Sequence, residues 1–140
     1  MHTIKMMLAV LALLVVAACG GNNLVPKTPE QAVFGLTSSY SVLLDAAGRY
    51  NNLPRCKSGK QEVAACSSPD VVKQLRDYDK NAQGPLETAQ KCSRQGLTGD
   101  IMTDSINALK AILVGYKNLV YKTQVSIPDN QKSVVDTNVN

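Results

Sequence analysis

Hydrophobic residues recur with a helical spacing along most of this chain, and the first such stripe lies between residues 33 and 50. Steps of three and four residues separate its members, which are Val33, Leu36, Tyr40, Leu43, Ala47 and Tyr50. This spacing places them on one face of a helix of about five turns. Thr28 precedes Pro29 as an N-cap, and Gln31 completes a capping box. We therefore predict a helix that begins at Pro29 and ends at Leu53-Pro54-Arg55.

A second stripe begins after Ser68-Pro69-Asp70, where serine is an N-cap, proline takes the first helical position and an acid lies in the first turn. Its apolar positions are Val72, Leu75, Tyr78, Ala82, Leu86 and Ala89. Gly84-Pro85 interrupts this stripe. Because a proline inside a helix removes a backbone hydrogen bond and costs about 3 kcal/mol, we expect a kink or a break there.

A third stripe follows the turn at residues 95–99, with Asp100 or Thr103 as its N-cap. Its apolar positions are Met102, Ile106, Leu109, Leu113, Tyr116 and Val120. A second apolar flank on the same segment predicts that this helix is the most buried of the three; it consists of Ile101, Ala108, Ile112 and Leu119.

The predicted fold is all-α. Three helices with seven-residue stripes and short connections indicate either a three-helix up-down-up bundle or a long helical hairpin with the third helix laid along it. Residues 28–123 form this helical domain, and the chain is too short for a second core. Beyond Thr123 the sequence turns polar, with a turn at Pro128-Asp129-Asn130, so we expect residues 124–140 to be a mostly disordered tail.

The N-terminal segment has the order of an export signal. Lys5 is followed by an apolar run over residues 6–17, which is too short to span a bilayer as a helix. Val16-Ala17-Ala18-Cys19 then resembles the lipobox of bacterial lipoproteins, in which an aliphatic residue and two small residues precede the cysteine that receives the lipid. The alternatives are an ordinary secretory signal or an uncleaved anchor.

The lipoprotein resemblance implies a signal peptide over residues 1–18, an acylated Cys19 and a lipidated tether over residues 19–27. Covalent lipid then attaches the protein to a membrane. By analogy with the class, Gly20 after the cysteine favours the periplasmic side of the outer membrane in a Gram-negative host.

Composition excludes several kinds of chemistry. The only histidine, His2, lies in the signal segment, so the exported part lacks the imidazole that Ser/His/Asp and Cys/His nucleophiles and histidine zinc sites require. Tryptophan is absent and Phe34 is the only phenylalanine, so stacking platforms for sugars or bases are poorly supplied. A net charge of +4 is mild for a nucleic-acid binder. We expect no enzyme activity, cofactor, metal, nucleic acid or small-molecule substrate.

With Cys19 acylated, three cysteines allow three single disulfides. A straight second helix would hold Cys66 and Cys92 nearly 40 Å apart, at about 1.5 Å per residue. Bonded cysteines need α-carbons within about 7 Å, so Cys56 and Cys66 are the feasible pair. Cys92 is then either a thiol for an intermolecular or redox reaction, or a buried cysteine without such a role.

The loop between Cys56 and Cys66 is basic. It contains Lys57 and Lys60, with Arg55 directly before it and Glu62 as the opposing acid. These three basic residues are candidates for contact with an anionic partner or with peptidoglycan stems. The alternative is a solvated loop without a partner.

Two segments carry a further resemblance. Leu53-Pro54-Arg55-Cys56 and the run from Cys66 to Val72 are similar to small helical lipoproteins of proteobacteria and their prophages, a group with no settled activity. The resemblance implies a non-enzymatic interaction module, anchored by its lipid, whose partner is an envelope or phage-related protein. The alternative is an assembly factor resembling pilotins, which escort outer-membrane secretin subunits.

Overall fold

The computed structural model describes residues 28–56 and 66–140. This part of the chain is all-helical, as predicted, and contains no β-strand beyond an isolated bridge between Arg55 and Ser67. Its helices are α1 (Pro29–Asn51), α2 (Pro69–Arg94), α3 (Asp100–Lys122) and α4 (Asp129–Val139).

The helix starts follow from the local sequence. Thr28 is the N-cap of α1, and its side-chain oxygen accepts a hydrogen bond from the backbone N–H of Gln31 at 3.3 Å. Ser68 is the N-cap of α2, although its side chain makes no capping hydrogen bond. Both helices have proline in the first turn, where a missing N–H leaves no intrahelical bond unmade.

Of the two expected outcomes at Gly84-Pro85, a kink or a break, the break does not occur, because α2 is one continuous helix from Pro69 to Arg94. Ala82 and Leu86, on either side of this dipeptide, are both buried in the core. The contact between α2 and α3 is the most extensive in the fold. Packing along this face offsets the local cost of the proline.

One hydrophobic core joins all four helices. It includes members of each predicted stripe, and Tyr50 and Tyr116 are among its fully buried side chains. The expected second flank of α3 is only partly confirmed. Ile112 and Leu119 pack against the core, whereas Ile101 and Ala108 are exposed.

The predicted disorder of residues 124–140 is not confirmed, because residues Asp129–Val139 form helix α4. Val135 and Val139 are buried, and α4 lies mainly against α1. The Ser39 hydroxyl in α1 lies 3.3 Å from the backbone oxygen of Val134, to which it donates a hydrogen bond. Two buried valines four residues apart hold this short helix against the bundle, although the segment as a whole is polar.

Candidate functional sites

The disulfide predicted from helix geometry is present between Cys56 and Cys66, whose α-carbons are 4.9 Å apart. Hydrogen bonds hold the two ends of the loop together: Cys56 N–H donates to Ser67 O at 3.1 Å, and Ser67 N–H donates to Pro54 O at 2.8 Å. The hydroxyl of Tyr50 accepts from Ser68 N–H at 3.0 Å. The disulfide therefore links the two ends of the loop between α1 and α2, which are also joined by hydrogen bonds to each other and to the buried Tyr50.

Of the three basic residues predicted to contact a partner, Arg55 is the one that the structure describes. Its side chain is exposed, and Nη1 lies 3.5 Å from the hydroxyl of buried Ser67. Lys57 and Lys60 lie outside the described residues, so the grouping of the three stays a prediction. Cys19 also lies outside them.

Cys92 is a free cysteine, and it is buried within α2 with 8% of its surface exposed. Neighbouring core side chains enclose the thiol, which favours the structural role over a reaction with a large partner. Cys66, its alternative partner, is bonded to Cys56.

A tyrosine cluster joins the middle of the first three helices. Tyr40 in α1 donates a hydrogen bond to the carboxylate of Asp79 in α2. The rings of Tyr78 in α2 and Tyr116 in α3 are stacked, with centroids 5.8 Å apart. Gly115 admits this stack, since a Cβ there would lie 2.7 Å from the Tyr78 ring. The sequence placed these tyrosines on apolar stripes, but it did not reveal Asp79 as a partner.

Three phenol groups of this fold, those of Tyr40, Tyr116 and Tyr121, have a raised pKa and so favour the protonated form. Burial raises the pKa of Tyr40 to about 12, helped by the hydrogen bond to Asp79 and by its negative charge. Burial and the charge of Asp79 raise the pKa of Tyr116 further. Burial and Asp136 raise the pKa of Tyr121 to about 12. These side chains are therefore neutral hydrogen-bonding groups near neutral pH and poor candidates for a general base.

These shifts predict an alkaline loss of stability. A phenol with a raised pKa in the folded state stabilises the fold fully below its unfolded pKa of about 10, and this contribution is lost as the pH rises through about 12. We expect tyrosinate absorbance in the native protein to lag behind that of the urea-unfolded chain. Tyr40→Phe should remove one late-titrating phenol. Titration of all five tyrosines near pH 10, with the circular dichroism of the native fold preserved, would contradict this prediction.

A groove lies beside the tyrosine cluster, with a volume of about 150 Å³. Its apolar lining comes from α1 and α2 and includes Leu44, Ala47, Val72 and Leu75, with Tyr116 from α3. Polar groups also line it: Arg76 and Asp79 lie one helical turn apart, and the side-chain oxygen of Asn51 is buried without a hydrogen-bond partner in the described structure. The groove is smaller than typical ligand sites of about 300 Å³ or more, so it suits a single protruding side chain.

Asp79 contacts Tyr40, whereas Asp77 is exposed on α2. The described part of the chain holds no group of three or more His, Cys, Asp or Glu side chains suited to a metal ion. Among the same residues, no helix combines the length and apolar character needed to cross a membrane.

Comparison of the chain with protein-family models, with curated proteins and with solved structures finds no match.

Proposed function

We propose that this protein is a lipid-anchored helical module that binds a partner protein in the cell envelope and carries out no catalysis. The observation that carries the proposal is the order of Lys5, the apolar run 6–17 and Val16-Ala17-Ala18-Cys19, which resembles a lipoprotein signal. Gly20 favours the periplasmic face of the outer membrane in a Gram-negative host. The absence of histidine after His2 supports the non-enzymatic part of the proposal.

The proposed arrangement of the first three helices is up-down-up. Hydrogen bonds between α1 and α2 support it, because they join Tyr50 to Ser68, Tyr40 to Asp79, and Thr37 to Gln90. In these pairs the residue number in α1 decreases as the residue number on the α2 side increases, as is expected for antiparallel helices. The bundle then has an entry end, defined by the start of α1, the end of α2 and the start of α3, and a distal end, which carries the disulfide.

The distal end is the better placed for a protein partner. Helix α1 has 23 residues, so at about 1.5 Å per residue the disulfide lies about 34 Å from the entry end. Arg55 is exposed there. An anionic surface on an envelope or phage-related protein is the complementary partner, and Lys57 and Lys60 would add to the contact.

Membrane attachment through Cys19 is tested with the full chain expressed in a Gram-negative host. Wild-type protein should incorporate labelled fatty acid, stay with the membrane fraction through high-salt washing and give an N-terminal mass that includes lipid. Cys19→Ser should lose the label and the attachment. Cys92→Ser is the matched control, because it removes another cysteine outside the predicted signal. Fatty-acid labelling of the Cys19→Ser variant would overturn the assignment.

The second candidate, a pilotin-like factor for an outer-membrane secretin, rests on the helical fold, the disulfide and the predicted lipid. Mild crosslinking followed by detergent extraction separates the two candidates. Recovery of a secretin subunit would support the pilotin-like role, whereas recovery of a different envelope protein would support the general module. Arg55→Glu should weaken the crosslink if the distal end makes the contact.

A further inference from the structure

Three apolar side chains project into solvent at the entry end of the bundle. Phe34 is 77% exposed, Ile101 is 70% exposed and Leu97 is 54% exposed. They are the most exposed large hydrophobic residues of the described chain, and we refer to them together as the entry-end surface. Single exposed apolar side chains are ordinary, whereas several of them at one end of a bundle can together form a contact surface.

Helix register places the three side chains at the same end. The amide of Gln90 in α2 donates to the hydroxyl of Thr37 in α1 at 3.3 Å, so these two positions lie side by side. Phe34 precedes Thr37 by three residues, toward the start of α1. Helix α2 ends at Arg94, one turn beyond Gln90, and the chain then passes through Leu97 into the first turn of α3, which contains Ile101.

We propose that the entry-end surface rests on a lipid bilayer, with Phe34, Leu97 and Ile101 inserted at the boundary between headgroups and acyl chains. This inference builds on the proposed lipidation of Cys19. Nine peptide units join Cys19 to Thr28, and at about 3.4 Å each they reach at most about 30 Å. The lipid would therefore hold this end of the bundle next to the membrane at a high effective concentration.

The charges at the entry end indicate that apolar contact, rather than attraction to anionic lipid, dominates. Lys91 and Arg94 are exposed in the last turn of α2. Glu30 and Asp100 lie in the first turns of α1 and α3 at the same end. Asp104, one turn further along α3, is exposed as well, so positive charge is not in excess and insertion should depend only weakly on the fraction of anionic lipid.

The absence of native tryptophan makes a direct test possible. Phe34→Trp gives a lone fluorescent reporter on the entry-end surface. Leu44→Trp is the matched control, because Leu44 is also exposed on α1 but lies ten residues, or about 15 Å, further from the entry end. Full-length lipidated chains carrying each substitution are reconstituted into phosphatidylcholine vesicles whose acyl chains are brominated.

We expect the indole of the Phe34→Trp chain to be quenched about twofold or more over that of the Leu44→Trp chain, with a blue-shifted emission. Leu97→Ser and Ile101→Ser, added to Phe34→Trp, should reduce this quenching while the circular dichroism of the helices is retained. Adding anionic phosphatidylglycerol should change it little. Equal quenching of the two reporters would overturn the inference, as would crosslinking through position 34 to a second copy of the chain.

Intact mass separates this inference from the proposed function. Lipid on Cys19 with no excess quenching of the Phe34→Trp reporter would refute the bilayer contact and leave the anchor standing. A mass without lipid would refute the anchor, and the bilayer contact with it.

Discussion

Leu43→Ala is expected to lower the free energy of unfolding by about 2 to 5 kcal/mol, the usual range for truncating a buried leucine. Leu43 lies in α1 and is 0% exposed, so the removed atoms leave a cavity in the core shared by the four helices. Small domains are stable by about 5 to 15 kcal/mol in total, so this loss is a large fraction of the stability. Urea unfolding followed by circular dichroism measures it.

Leu44→Ala is the matched control for this experiment. It makes the same chemical change one residue further along α1, at a side chain that is 42% exposed. Because Leu44 also lines the groove beside the tyrosine cluster, its truncation should have a cost, but a clearly smaller one of about 1 kcal/mol or less. Equal losses at the two positions would show that the face of α1 assigned to the core is wrong.

Val135→Asp is expected to release α4 from the bundle. Val135 is fully buried, and a carboxylate there would have to lose its hydration without a partner, which is among the most destabilising single changes. We expect the amide protons of α4 to exchange rapidly in this variant and the overall stability to fall by about 3 kcal/mol. Hydrogen exchange measured by mass spectrometry follows α4 directly.

Val134→Asp tests the same helix from its solvent side. Val134 precedes Val135 and is more than a third exposed, so its replacement should leave the protection of α4 nearly unchanged. Strong exchange of α4 in both variants, or in the wild type, would contradict the packing of this helix on α1.

The sequence predicted correctly those helices in which a capping residue and a long apolar stripe occur together. Helix α1 combines Thr28 and Pro29 at its start with an apolar stripe over five turns, so cap and periodicity agree. The Cys56–Cys66 pair followed from the same assignment, because helix length alone disfavoured Cys66 with Cys92.

The remaining features depend on contacts between distant parts of the chain. The buried face of α4 consists of Val135 and Val139 alone, which are too few to give a periodic signal in the sequence. The surface against which they pack belongs mainly to α1. The hydrogen bond between Tyr40 and Asp79 depends on the register of two helices, which no local pattern specifies. The continuity of α2 through Pro85 also depends on tertiary contacts, because packing against α3 outweighs the tendency of proline to break a helix.

The enclosed position of Cys92 makes its thiol a native reporter of core opening. A bulky thiol reagent reaches Cys92 only when the surrounding helices separate, because the native core covers the sulfur. The rate of labelling at low denaturant therefore reports how often the core opens, at a single atom and without an added probe. Cys92 lies near the end of α2 that is farthest from the Cys56–Cys66 disulfide, so thiol–disulfide exchange between them requires α2 itself to unfold and should be slower than the labelling of Cys92.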